Sequence, residues 1–109
     1  MHLGKHERAQ FKVAMSKVLT DRFPDETARM SVDALIVLVD RGIDLASTYK
    51  ILLEADVARF LELIVGLGED FDVQSDFRWI GEILKQTEIE PAARLDMVLE
   101  RFAFGERGS

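Results

Sequence analysis

The sequence predicts an all-α fold, a compact single domain of five or six short helices. Three observations carry that expectation. Apolar residues recur at helical spacing along nearly the whole chain, no stretch alternates as a half-buried strand does, and no internal repeat or linker interrupts the pattern. At 109 residues the chain has the length of one domain. Its 48% hydrophobic content is too high for a disordered segment and sufficient for a core. The predicted domain spans 1–109, with frayed ends over 1–4 and 105–109.

The first predicted helix runs from Lys5 to Thr20. Phe11, Ala14, Met15, Val18 and Arg22 fall on one side of it, and Lys5, Arg8 and Lys12 form a basic stripe beside that face. Pro24, Asp25 and Glu26 then read as a helix start, with carboxylates favoured at the positive end of the dipole. The second predicted helix spans Asp25 to Arg41 and stops at Gly42. Glu26, Arg29, Asp33 and Asp40 share a narrow polar stripe on its wheel, and Ile36 is an apolar residue projecting into that stripe.

Beyond Ile43, either Asp44 or Ser47 can cap a third helix carrying Tyr49, Ile51, Leu52 and Leu53, and Asp56 can cap a fourth from Val57 to Leu67. Two helices and one bent helix fit this stretch equally. Ser75 is placed to cap a fifth, Asp76 to Thr87, with Phe77, Ile80, Ile83 and Leu84 inward and Arg78, Glu82 and Lys85 outward. Pro91 opens a sixth that reaches Phe104 and turns Leu95, Val98, Leu99 and Phe102 inward. Leu35, Leu38, Leu61, Ile64, Ile80 and Val98 are the expected core.

Charge and composition exclude several functions. The chain carries 14 Lys and Arg against 20 Asp and Glu, a net −6. Lys5, Arg8, Lys12, Lys17 and Arg22 against Glu7 and Asp21 leave residues 1–22 at +3, so the remainder stands at −9 out of the total of −6. An acidic body of this kind repels phosphate backbones, and nucleic acid is an unfavourable partner for it. The basic first helix is expected to dock against the acidic body. With no cysteine there is no disulfide scaffold, thiolate zinc site or cysteine nucleophile. No apolar run approaches the ~20 residues that span a bilayer, and the first residues lack a secretory pattern, so a soluble cytoplasmic protein is expected.

No cofactor or metal is expected, and no residue set points to an enzyme. His2 and His6 are four apart, yet Glu7 is their only nearby third ligand. With no further histidine, a haem site and a Ser-His-Asp triad are not expected. Asp70, Asp72, Gln74 and Asp76 alternate as in a calcium loop, but Ser75 and Gly81 stand where that loop needs its glycine and its bidentate glutamate. Gly66-Leu67-Gly68 follows a helix and lacks the Lys-Ser/Thr of a phosphate loop.

Two surface readings remain. The sixth helix has a second apolar stripe, Ala93, Met97 and Phe104, rimmed by Arg94, Asp96, Glu100 and Arg101. That is the pattern of a helix that contacts two things. Trp79 and Ile36 join it as candidate contacts. The sequence therefore points first to a small acidic interaction module, binding a basic protein partner or a second copy of itself. The alternative is a DNA-binding regulator with a degenerate helix-turn-helix over 34–53, Gly42 in its turn and Ser47, Thr48, Tyr49 and Lys50 exposed. Ile43 and Ile51 fit that geometry, whereas Leu38, Arg41 and Thr48 do not.

Overall fold

The computed structural model describes the backbone of residues 5–67 and 77–108, and side chains over 6–67 and 77–101. Six helices follow one another in it: α1 (Lys5–Arg22), α2 (Pro24–Thr27), α3 (Val32–Thr48), α4 (Glu54–Leu67), α5 (Arg78–Leu84) and α6 (Pro91–Gly108). No strand occurs among the described residues, and the all-α expectation holds. Contacts gather in two compact units, Met1–Glu69 and Asp70–Ser109.

In the first unit α1 packs on α2, α3 and α4, and α3 packs on α4. The buried stripe of α1 is Phe11, Met15 and Leu19. Ala14 and Val18, expected on that face, are exposed. The helix is rotated from the expected register, and the rotation turns Arg8 and Lys12 toward α3. The basic stripe therefore docks on acidic residues, as the charge distribution suggests. Arg22, at the C-terminal end of α1, pairs with Glu62 of α4.

The predicted helix over 25–41 is in fact two. Pro24 opens the single turn of α2, and Thr27 is buried with its hydroxyl donating to the Phe23 carbonyl at 2.8 Å. Ser31 then starts afresh, its Oγ accepting from the Ala34 amide at 3.0 Å. From there α3 runs through Gly42 without a break, so that residue stops no helix. A Cβ at Gly42 would collide with the Leu61 side chain and sit 3.3 Å from Ile64 Cδ1. The glycine lets α4 approach α3 closely, and this packing outweighs its intrinsic preference for helix ends.

The end of α3 lies six residues further on, at Thr48, in a Schellman arrangement. The Lys50 amide donates to the Ser47 carbonyl at 3.0 Å and the Ile51 amide to the Ala46 carbonyl at 2.9 Å. Lys50 takes the left-handed position, φ 60°, that glycine usually fills. Tyr49, expected to be exposed, is buried and meets Phe60 edge-on with centroids 6.0 Å apart. The stretch past Ile43 is thus two helices, and α4 starts at Glu54. Asp56 lies within its first turn and is buried, so it does not cap. Val57, Phe60, Leu61, Leu63 and Ile64 supply the α4 side of the core.

In the second unit α5 packs on α6. Ile80 and Leu84 of α5 and Leu95 and Val98 of α6 are buried, while Phe77 and Ile83 are partly covered. Helix α5 is shorter than expected at both ends, and α6 extends past Phe104 to Gly108. Two residues of α6 reverse their expected places. Leu99 is 50% exposed, and Arg94 is 1% exposed. Arg94 turns inward because its guanidinium has carbonyls to meet. It donates to Leu84 at the C-terminal end of α5, and its Nε donates to Ile89 at 2.9 Å. A cation suits the negative end of a helix dipole, and the carbonyls there have no partner within the helix.

Candidate interaction surface

Ile36 lies on the flank of α3 that faces α1, where the two helices run antiparallel. The direction follows from their ion pairs. Arg8 Nη2 meets Asp44 at 3.0 Å and Asp40 at 2.8 Å, and Lys12 Nζ lies 3.4 Å from Asp40. Burial opposes the charge on Arg8. Hydrogen bonds and charge from Asp40 and Asp44 outweigh it, and the guanidinium is held above its ordinary pKa. For Asp40 the Arg8 hydrogen bond is the largest effect, and the carboxyl is held below the usual carboxylate range.

Past this charged end the seam becomes apolar. Between the last three turns of α1 and the first turns of α3 lies a groove of about 520 Å³. Leu35 and Ser16 form its floor. Val13, Val32 and Ile36 are its apolar walls, and Lys17, Thr20 and Asp21 stand at the rim. Val13 is 51% exposed and Val32 71%. A second hollow along α1, bounded by Ala9, Gln10 and Ala14, shares Val13 and Lys17 with the groove. The two hollows thus adjoin at Val13 and Lys17. Among the described residues, neither Lys17 nor Asp21 takes part in an ion pair.

The α6 candidates lie in the second unit. Ala93 is exposed and Met97 is 39% exposed, while Phe104 lies outside the residues whose side chains are described. Trp79 is partly buried, and Arg101 of α6 stacks over its ring 4.5 Å from the centroid. Arg94 is not part of the charged rim, since it is buried. Ser47 and Thr48 are exposed on the last turn of α3, and Lys50 is exposed in the turn after it. The turn proposed at Gly42 is absent, and the corner between helices falls at Tyr49–Leu53 instead.

No family model, curated protein or solved structure matches the chain.

The candidate ligands divide similarly. His6 is exposed, and its Nε2 lies 3.3 Å from the Gln10 side-chain nitrogen, while His2 and the Asp70–Asp76 loop lie outside the described residues. Among the described residues no group of three His, Asp or Glu side chains is placed to hold a metal. No helix among them is long and apolar enough to cross a membrane.

Among the expected contact residues, Ile36 opens on the groove between α1 and α3. Sequence reasoning missed the residues around it. Val13 had a visible signal, since it lies on the α1 wheel opposite Met15. Val32 is harder to see, because helical spacing runs on through Ser31 and the serine's capping role is the one local sign that a helix starts there.

Proposed function

We propose that the chain is a protein-interaction module that acts by binding, without catalysis, through the seam between α1 and α3. The observation that supports this is the apolar groove walled by Val13, Val32 and Ile36. Water against such a surface carries a free-energy cost that a covering protein face removes, about 25 cal/mol for each Å² of apolar area. Contiguous apolar patches rimmed by polar residues are where soluble proteins make contacts. Ile36 gives this reading its sharpest expression, since it is a half-buried isoleucine that lines the groove on the same helix as Asp33 and Asp40.

The test compares immobilised wild-type protein with Ile36→Glu in native extracts. A protein retained by the wild type and lost by the variant, with helical content unchanged, is the expected outcome. Identical retained sets from the two baits would rule the seam out. Random duplex DNA at low salt serves as the control probe and is expected to remain unbound, because the net charge is −6.

A further inference from the structure

We propose that the seam's occupant is a second copy of this chain, packed with α1 antiparallel to α1 so that Lys17 of each copy faces Asp21 of the other. The inference rests on reading the seam as a contact surface and adds to it the identity of the partner. It starts from which charges are already used. Among the described charges of α1, Arg8 and Lys12 are held by Asp40 and Asp44, and Arg22 is held by Glu62. Glu7, Lys17 and Asp21 remain, all exposed, and of these Lys17 and Asp21 stand at the rim of the groove.

Those two charges have opposite sign and lie one helical turn apart, about 6 Å along the axis. A rim of one cation and one anion selects neither a basic nor an acidic partner. Its complement is the same pair in reverse order. A two-fold axis perpendicular to α1, passing between Lys17 and Asp21, supplies that complement from the identical surface. The groove supports the same placement. Val32 lies beside Thr20 and Asp21, and Ile36 lies about one turn further along α3, so both apolar walls flank the proposed axis. Each copy then covers the other's Val32 and Ile36. Apolar burial supplies the affinity, and the two symmetric ion pairs fix direction and register.

Charge reversal tests this directly by sedimentation at physiological salt. Wild type is expected to associate at high micromolar concentration, and Lys17→Asp and Asp21→Lys are each expected to weaken association at least roughly tenfold, because like charges then face each other. Both positions are exposed, so both variants are expected to keep the wild-type circular dichroism. An equimolar mixture of the two variants is expected to associate again, since each chain then carries the other's complement. A wild type that stays monomeric overturns the proposal, as do reversals without effect or a mixture that is not rescued. If the wild type is monomeric while the extract comparison still shows a protein lost with Ile36→Glu, the seam remains a contact surface and only its partner changes. If the wild type associates but Ile36→Glu leaves association and extract binding unaltered, the seam reading itself fails.

Discussion

Gly42 shows how a residue's role depends on what faces it. Its composition signal is that of a helix stop, and its position is the middle of α3, against Leu61. Gly42→Ala gains about 1 kcal/mol of helix propensity but overfills a closed contact at about 1–3 kcal/mol. The net expectation is destabilisation, read as a lower urea midpoint with unchanged slope, the reverse of what an exposed helical glycine would give. The Arg8–Asp40 pair makes a second prediction. Asp40 has a depressed folded pKa, so its contribution to stability is present above the unfolded carboxylate pKa and is lost as pH falls through the folded value. Its side chain is 44% exposed, and solvent screening keeps the contribution below about 1 kcal/mol. Asp40→Asn is accordingly expected to lower neutral-pH stability by less than about 1 kcal/mol and, for that reason, to flatten the acid limb of the stability profile below pH ~4. An acid limb identical to that of the wild type would remove this pair from the account.

Among the elements, those with a broad apolar arc were legible and those with a narrow one were misplaced. Helix α4 has its wide arc where the wheel puts it, and Leu61 and Ile64 are buried as expected. Helix α1 buries Leu19 with Phe11 and Met15 in place of the expected Ala14 and Val18, and the same turn brings Arg8 and Lys12 onto Asp40 and Asp44, whose position relative to α1 no local pattern reveals. Arg94 was misread for a related reason. Its partners are backbone carbonyls of α5 and of the turn that follows, and carbonyls have no signature in a sequence. The seam itself was legible at one residue, Ile36, and hidden elsewhere because a groove belongs to two helices at once. The same distinction sets the expected cost of core truncation. Ile64, 2% exposed, is expected to lose about 2–5 kcal/mol on replacement by Ala. Leu38, placed in the core by its spacing, is only half-buried, and Leu38→Ala is expected to cost less than half as much. Equal shifts in the two urea midpoints would mean that α3 is turned further toward α4 than described.

At the scale of the whole chain, the first unit holds three helices that contact one another pairwise, with Phe11, Leu19, Val39, Phe60 and Leu61 among its buried residues. A fragment of residues 1–69 is therefore expected to fold alone, with a cooperative thermal transition and the helical signal of α1, α3 and α4. A featureless, sloping melt would show that this unit cannot stand by itself. Within it, the corner at Lys50 has a kinetic consequence. The turn is closed by short-range hydrogen bonds, and the crossing at Gly42 and Leu61 joins helices that are neighbours in the chain. Gly42 and Leu61 lie 19 residues apart and Arg8 and Asp40 32, so the first contact closes the shorter loop and loses less entropy before it forms. The α3–α4 hairpin is thus expected to form early, as a nucleus of folding. Gly42→Ala should slow refolding more than it speeds unfolding, whereas Asp40→Asn, on the later-docking α1 contact, should leave the refolding rate nearly unchanged and act on unfolding.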